Sequence, residues 1–292
     1  MKRSLTTTTV ITLLLVFCYG ISSAQEDVTI VKPTSEAADG LDLKAVSELF
    51  KDAKDLEAFE KALNDPDIGV NNLDLDDNGE VDYIRIVEQV ADETHVIILQ
   101  VPLAENEFQD VATIEVEKTG EDNYNMQVHG DEVIYGVDYY VAPTVVHIHT
   151  WPIIPWLYRP HYRPYRSVFY FGFYPRWWRP YRPVKINVYR TRTVNITRST
   201  TFTFAKTNRV RSVAKVNYKP KSTTLVKKKT KITRTTSAKS GKRTTVTKGV
   251  KKTTNTRTGK TTVKKGARKT TTKKGGKKTT VKKGRKKTNR KK

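Results

Sequence analysis

The spacing of apolar residues predicts two short helices in the first part of the chain. Two sets of apolar residues recur at intervals of three and four: Leu43, Val46, Leu49 and Phe50, and then Leu56, Phe59 and Leu63. Such spacing places side chains on one face of an α-helix. Asp42 and Asp55 stand directly before the two sets, where an N-cap is expected. The sequence Asn64-Asp65-Pro66 is expected to end the second helix, because proline cannot continue it.

Runs of β-branched and other apolar residues predict strands after these helices. Four such runs are Val81–Val87, Thr94–Val101, Val111–Glu117 and Tyr124–Val128, and Val133–Tyr135 is a fifth candidate. Short polar turns separate the runs, which favours an antiparallel meander, because parallel strands need long crossover connections. The predicted fold class is therefore α+β, with two short helices packed on a small antiparallel sheet.

The stretch 139–206, which we call the aromatic segment, replaces this pattern with aromatic residues, arginine and proline. It contains all four tryptophans of the chain: Trp151, Trp156, Trp177 and Trp178. Its many prolines favour extended or polyproline conformations over helix. Within it, Val168–Tyr174 is an aromatic strand candidate, and the alternation of apolar and polar residues over 185–204 allows one further hairpin.

The final stretch, 207–292, is a low-complexity sequence of lysine, threonine and glycine, which we call the tail. A loose repeat of Thr-Thr-Val followed by lysine and glycine recurs at 244–249, 261–266 and 279–284. Because the tail has few apolar residues to bury and its charges repel one another, we predict that it is disordered. The predicted organisation is a signal peptide at 1–24, an acidic α+β domain at 25–138, the aromatic segment at 139–206 and the tail at 207–292.

The beginning of the chain has the pattern of a secretory signal peptide. Two basic residues precede an apolar run of about a dozen residues, Val10–Ile21, and Ser22 and Ala24 supply a small-residue cleavage site. The run is shorter than the roughly 20 apolar residues that span a bilayer. The one cysteine, Cys18, lies within the run, so we expect a mature protein without disulfides or thiolate-bound zinc. The expected location is periplasmic, on the outer surface or extracellular.

The charge of the chain changes sign at Asp138. All 30 acidic residues lie at or before this position, whereas 45 of the 54 lysines and arginines lie after it. So sharp a division indicates two physically different regions, and the two are expected to attract partners of opposite charge.

One acidic motif has the spacing of a metal-binding loop. Residues 74–82 read Asp-Leu-Asp-Asp-Asn-Gly-Glu-Val-Asp and resemble the first nine positions of an EF-hand calcium loop. The calcium ligands that this resemblance implies are Asp74, Asp76, Asn78, Glu80 and Asp82. Position twelve, a bidentate glutamate in that family, is Arg85 here, so a full ligand set needs a carboxylate from elsewhere, such as Glu88. The alternative is an acidic Asn-Gly hairpin turn without a metal.

Histidines form a second candidate metal motif. His147 and His149 would lie on one side of a strand, and His161 follows later in the chain. Ordinary, partly buried histidines are the alternative. The sequence contains no Gly-x-Ser-x-Gly, His-Glu-x-x-His or phosphate-binding glycine loop, so we predict that the protein is not an enzyme.

The basic region is predicted to bind polyanions. The candidate residues are Arg159, Arg163, Arg166, Arg176, Arg179, Arg182, Lys264, Lys265, Lys282 and Lys283. Arginines between aromatic rings can stack on bases or sugars and hold phosphates, or they can contact a membrane surface. A third alternative is that the aromatic segment folds back over the acidic domain through pairs of arginine and carboxylate.

The tail resembles the lysine-rich tails of linker histones in composition, which implies binding to polyanions that weakens with salt. Because an exported chain does not meet genomic DNA, the expected partners are lipopolysaccharide, acidic polysaccharide or extracellular DNA. The alternative function is a calcium-binding structural module in which the tail acts as an intramolecular counterion.

The chain also resembles uncharacterised exported proteins of the Bacteroidetes type. The resemblance rests on Asn71–Arg85, which contains the acidic loop, and on Trp151–Pro183, which contains the repeated Trp, Tyr, Arg and Pro motifs. It implies export and a shared architecture. It implies no activity.

Overall fold

The computed structural model of the chain describes residues 38–145, 147–205, 208–210, 222, 224–236, 243–273 and 276–289. The predicted signal peptide lies outside these ranges. Within them the chain forms α-helices and two antiparallel sheets, so the α+β class is confirmed. No helix in these ranges is long and apolar enough to cross a membrane.

Helices α1 (Leu43–Asp52) and α2 (Leu56–Asn64) confirm the predicted helices. Asp42 caps α1 by accepting a hydrogen bond from Lys44 N at 2.9 Å. Asp55 caps α2 by accepting one at 2.6 Å from the backbone N–H of the third residue of that helix. The apolar faces of both helices enter the main core, where one phenylalanine from each makes an edge-to-face contact with ring centroids 5.4 Å apart.

The first sheet has six antiparallel strands in sequential order. They are β1 (Arg85–Ala91), β2 (Thr94–Ala104), β3 (Glu107–Lys118), β4 (Tyr124–Gly130), β5 (Tyr140–Pro143) and β6 (Phe202–Ala205). The first four confirm the predicted meander. The fifth candidate, Val133–Tyr135, is a turn instead, because Asp131 O accepts hydrogen bonds from Ile134 N at 3.0 Å and Tyr135 N at 2.8 Å.

The aromatic segment completes the sheet and core of the acidic region. It contributes β5, which pairs with β4, and β6, which pairs with β5. It also contributes helix α3 (Ile153–Leu157), whose buried side chains belong to the same apolar cluster as those of α1 and α2. The charge boundary at Asp138 therefore does not divide the fold.

Helix α4 (Ile186–Thr197) occupies the stretch in which the sequence allowed a hairpin. Its buried residues are Tyr189 and Thr193, which are spaced by about one helical turn. Tyr189 Oη donates a hydrogen bond to Val70 O at 2.9 Å and accepts one from Asp42 N at 2.7 Å. In the helical conformation, Tyr189 thus forms hydrogen bonds with residues that are distant in the sequence. The local alternation of apolar and polar residues cannot reveal such bonds.

The predicted aromatic strand Val168–Tyr174 is also different in the structure. It contains one isolated pairing, between Tyr170 and Phe173, that closes a tight turn. The chain before it joins β1 only briefly, through hydrogen bonds from Ser167 N to Ile86 O and from Glu88 N to Tyr165 O, both at 2.9 Å. The aromatic alternation thus leads to a projecting turn and not to a strand of the sheet.

The tail is predicted to be disordered, and its described parts are extended strands. They form a second antiparallel sheet from β7 (Thr224–Thr236), β8 (Arg243–Asn255), β9 (Thr261–Lys273) and β10 (Gly276–Asn289). Threonine and valine favour strands, and the repeat aligns like residues across neighbouring strands. Thr253 pairs with Thr262, for example, and Gly249 with Gly266.

Candidate functional site

The aromatic segment lies over the acidic region and is attached there through Glu88 of β1. The Glu88 carboxylate is buried and accepts hydrogen bonds from Tyr165 N at 2.7 Å and from the Tyr162 hydroxyl. His95 Nδ1 lies 2.7 Å from its other oxygen. Backbone pairing adds to the attachment, since Glu88 N donates to Tyr165 O at 2.9 Å.

A second buried carboxylate, Glu60 of α2, holds the same segment at another point. It accepts hydrogen bonds from Ser167 Oγ at 2.7 Å, Tyr83 Oη at 2.8 Å, Ile86 N at 3.0 Å and Tyr165 Oη at 3.3 Å. Burial raises the pKa of Glu60, because removing the carboxylate from water disfavours its charged form, and the four donors oppose that rise in part.

These two carboxylates show how the aromatic segment is attached to the acidic region. The segment folds back over the acidic region. Tyrosine and serine hydroxyls make most of the attachment, and one arginine joins them, since Arg190 Nη2 donates to Asp39 Oδ1 at 2.9 Å. All six candidate arginines of the segment are exposed, and none forms an ion pair with a carboxylate within the described residues. The guanidinium groups therefore remain on the surface.

Local contacts hold some of these arginines against aromatic rings and carbonyl groups. The guanidinium carbon of Arg159 lies 4.2 Å from the ring centroid of Trp156 and 4.9 Å from that of Tyr162. Arg179 Nη1 donates to the carbonyl oxygens of Arg176 at 3.0 Å and Trp178 at 2.9 Å. Such contacts orient a cation while leaving part of it open to a ligand.

The register of the tail strands places lysines in a row. Lys228, Lys251, Lys264 and Lys286 occupy one level across the four strands, and we call them the lysine row. The side chains of Lys264 and Lys265 are exposed. The remaining predicted lysines, 282 and 283, lie in β10, and their side chains fall outside the described part of the structure.

Side-chain oxygens of the acidic loop 74–82 accept hydrogen bonds from the backbone N–H groups of the same loop. Asp74 Oδ1 accepts from Asp77 N at 2.7 Å, Asp76 Oδ1 accepts from Asn78 N at 2.9 Å, and Asn78 Oδ1 accepts from Glu80 N at 2.7 Å. Such side-chain to backbone bonds are typical of Asx turns. Asp82 Oδ2 in turn accepts from the N–H of residue 75 at 2.5 Å.

A cation of the tail lies at this loop. Lys251 Nζ donates to Asp76 O at 2.5 Å and lies 3.1 Å from Asp77 Oδ2. The Lys251 side chain is only 11% exposed. The contact joins the middle of the tail sheet to the acidic region over a separation of 175 residues.

The structure does not supply the missing calcium ligand of the loop. Arg85, at position twelve, donates from Nε to Gln100 Oε1 at 2.8 Å and lies in β1, so a strand follows the loop and not the exiting helix of an EF-hand. The Glu88 carboxylate is bonded to His95, Tyr162 and Tyr165 and does not serve as a ligand of the loop. Within the described ranges no group of three or more His, Cys, Asp or Glu side chains converges on a metal position.

The histidine motif is not on a strand. Residues 148–150 form a 3₁₀ turn, with His147 and His149 rings in an edge-to-face contact 5.7 Å apart. His161 is exposed and has a positive φ of 57°. Nothing in this arrangement brings the three imidazoles together on a metal.

Sequence reasoning missed Glu60 and Glu88 as the groups that position the aromatic segment. Both are acidic residues among many in the acidic region, and their partners in the aromatic segment follow them by 74 to 107 residues. The one local indication was the position of Glu60 beside Phe59, on the apolar side of α2.

Comparison with known proteins gave no match: no family model, no curated protein and no solved structure matches this chain.

Proposed function

We propose that the chain is an exported, non-catalytic binding protein that associates with polyanions through its basic C-terminal half. The partners we propose are lipopolysaccharide, acidic polysaccharide or extracellular DNA. In this proposal the acidic α+β region supplies a rigid support, and the aromatic segment and tail supply the cationic surface. Export is part of the proposal and rests on the N-terminal sequence pattern.

The observation that carries the proposal is the exposure of the six arginines of the aromatic segment. They lie on a segment fixed by buried hydrogen bonds to Glu60 and Glu88, and none is neutralised by a carboxylate in the described residues. Guanidinium groups bind phosphate and carboxylate through paired N–H donors. A fixed surface of such groups is suited to the anionic groups of a polymer.

The tail adds a second, less specific cationic surface. Lys264 of the lysine row and its neighbour Lys265 are exposed, whereas Lys251 of the same row is held on the acidic loop. Exposed lysines attract an anionic chain, which releases its counterions when it binds them. The tail therefore contributes affinity and salt dependence more than selectivity.

The test measures binding of the full chain to heparin, double-stranded DNA and lipopolysaccharide at several salt concentrations. One variant replaces Arg163, Arg166 and Arg179 by Gln, and a second replaces Lys264 and Lys265 by Gln. The control is Lys54→Gln, an exposed lysine in the acidic region. Both variants should bind more weakly, and the slope of log K against log salt should fall by about 0.7 to 0.9 for each phosphate that the variant no longer neutralises. Weak, salt-independent binding of the unaltered chain to all three polymers would refute the proposal.

The second candidate function is a calcium-responsive module with the tail as intramolecular counterion. It is favoured by one observation, the contact of Lys251 with the oxygens of Asp76 and Asp77. These oxygens already accept a cation, and a divalent cation would compete with the lysine for them.

Its test is thermal unfolding of the full chain with and without added calcium. A ligand that binds the folded state raises the midpoint of unfolding. The rise should be larger in Lys251→Gln, which lacks the competing ammonium, and absent in Asp74→Asn/Asp76→Asn. An unchanged midpoint in the native chain and in Lys251→Gln would exclude calcium.

A further inference from the structure

The aromatic segment contains a tight turn at 170–173 whose side chains are exposed. Tyr170 and Phe173 pair through two backbone hydrogen bonds of 3.1 and 2.9 Å, and Phe171 and Gly172 form the tip. Gly172 has φ +79°, which the third residue of a type II turn requires. A Cβ built on Gly172 would meet nothing within 4 Å. The described chain therefore leaves the outer side of the turn uncovered.

The side chains of this turn are exposed to an unusual degree for aromatic residues. Tyr170 is 56% exposed, Phe171 45%, Phe173 49% and Trp177 44%. No other aromatic side chain in the described ranges is as exposed as these. We call these four residues the aromatic tip. The rings of Tyr170 and Phe173 stack with centroids 5.1 Å apart, so exposed rings of the turn are contiguous. Contiguous exposed rings indicate an interaction site, because exposed apolar residues usually occur singly.

The base of the turn is rigid. The Tyr83 ring packs against those of Phe169, Tyr174 and Trp178, with centroids 5.8, 5.6 and 5.2 Å apart. Tyr83 itself donates to the buried Glu60 carboxylate at 2.8 Å. The tip is thus held in place by a packed aromatic cluster, which lowers the entropy that its rings lose when they are buried by a partner.

The chain on both sides of the tip is cationic, whereas one side of the turn faces Glu105 and Glu107, which line a cavity with Tyr170 and Phe171. Exposed arginines stand on both sides of it in sequence, Arg163 and Arg166 before the turn and Arg176 and Arg179 after it. The chain from 139 onward contains no acidic residue. Aromatic rings favour the interface between a bilayer and water, and arginines favour anionic headgroups.

We propose that the aromatic tip inserts into the surface of an anionic lipid bilayer, with the flanking arginines on the headgroups. The proposal shares the cationic surface of the proposed function and adds an apolar contact to it. A soluble polyanion offers no apolar phase for two phenyl rings on a projecting turn, whereas a bilayer does. The partner that combines both features is a membrane surface that carries phosphate groups.

The test measures partitioning of the full chain onto vesicles of phosphatidylcholine alone and of phosphatidylcholine with phosphatidylglycerol. The variant is Phe171→Ser/Phe173→Ser. The matched control is Ile186→Ser/Val194→Ser, which also removes two exposed apolar side chains, from α4. We expect the tip variant to partition at least about tenfold more weakly onto anionic vesicles and the control to remain within about twofold of the native chain. Heparin binding should change by less than about twofold in both.

A second measurement locates the tip directly. Quenching of tryptophan fluorescence by brominated lipid should occur in the native chain and fall sharply in Trp177→Phe. Native-like partitioning of the tip variant, or quenching that Trp177→Phe leaves unchanged, would overturn the inference.

Equal losses of vesicle and heparin binding would instead assign the tip to a glycan. Loss of self-association in the tip variant would assign it to a second copy of the chain. If the native chain binds no soluble polyanion, the proposed function is refuted. The vesicle measurements then test the tip by themselves.

Discussion

The aromatic segment and the tail are both cationic and both lack acidic residues, but they are held in different ways. Buried carboxylates from α2 and β1 accept hydrogen bonds from the aromatic segment, and its apolar side chains join the main core. The strands of the tail pair mainly with one another, and the contacts they make with the acidic region include the ion pair of Lys251 with Asp77. Charge alone therefore does not determine how firmly a basic region is built into a fold.

The physical reason lies in what each region can bury. The aromatic segment supplies large rings and tyrosine hydroxyls, which can enter an interior and satisfy a carboxylate there. The tail sheet sets Lys251 opposite Lys264, and like charges directly opposite one another destabilise a sheet. We expect the tail sheet to depend on counterions to a degree that the aromatic segment does not.

The largest effect is expected from removing the acceptor beneath the aromatic segment. Glu60→Ala leaves the donors of Tyr83, Ser167 and Ile86 without their partner in a buried site, so we expect a loss of about 4 kcal/mol in the free energy of unfolding. Denaturant unfolding measures it. Glu57→Ala, an exposed position on the same helix, should change stability by less than about 0.5 kcal/mol. Equal effects of the two substitutions would show that the buried carboxylate does not hold the segment.

A smaller loss is expected from a single hydroxyl of the segment. Tyr162→Phe removes one donor to the Glu88 carboxylate and keeps the ring, so stability should fall by about 2 kcal/mol. The control is Tyr170→Phe at the exposed tip, which should have no measurable effect on unfolding. If both substitutions proved neutral, the attachment at Glu88 would contribute little.

A pH-dependent effect is expected on the tail side of the first sheet. Burial raises the pKa of Asp131 to about 6, and this residue lines a cavity of about 450 Å³ together with Ser222 and Thr256 of the tail. The folded state binds the proton more tightly than the unfolded chain, whose aspartates titrate near 3.9. The stabilising contribution of Asp131 is therefore present below pH about 4 and lost as pH rises through about 6.

Asp131→Asn tests this expectation, because asparagine can still accept the hydrogen bond from Val133 N. Between pH 4 and 7 the native chain should lose about 1.5 kcal/mol relative to the variant, a figure reduced for partial exposure to solvent. Parallel stability curves for the two proteins over this range would contradict the raised pKa.

The smallest effect is expected within the tail sheet. Lys264→Thr removes a lysine that lies opposite Lys251 and should stabilise the sheet by about 0.5 kcal/mol at low salt. The gain should disappear as salt screens the repulsion, and circular dichroism in the β region follows both changes. Lys269→Thr is the control, because Lys269 lies opposite Val246 and Thr280. Identical salt responses of the two variants would mean that the register does not govern the stability of the tail sheet.

Local patterns predicted the elements whose stability comes from nearby residues. The apolar spacing and the capping residues Asp42 and Asp55 identified α1 and α2 at the positions where the structure has them. The alternating runs identified β1–β4, although β1 begins at Arg85, because the N–H groups of Val81 and Asp82 bond to Tyr181 O and Leu73 O. The same reasoning failed over 168–204, where contacts with distant residues outweigh the local alternation.

The features of the candidate site likewise fall into those that local sequence identifies and those that only the tertiary structure shows. The sequence alone identified the cationic residues and the acidic loop, since charge and spacing are local properties. It did not reveal that Arg85 pairs with Gln100 or that Lys251 lies at the loop. These contacts join residues that are 15 and 175 positions apart.

By itself the sequence determined the α+β class, the helix caps, the meander and the sharp change of charge at Asp138. Only the tertiary structure decided that this change of charge does not divide the fold, and that Glu60 and Glu88 lie beneath the aromatic segment while its arginines stay outside. The physical reason is that burial of a carboxylate depends on which donors the folded chain brings to it. The donors that the aromatic segment supplies to these two residues come from more than 70 positions away, beyond the reach of any local pattern.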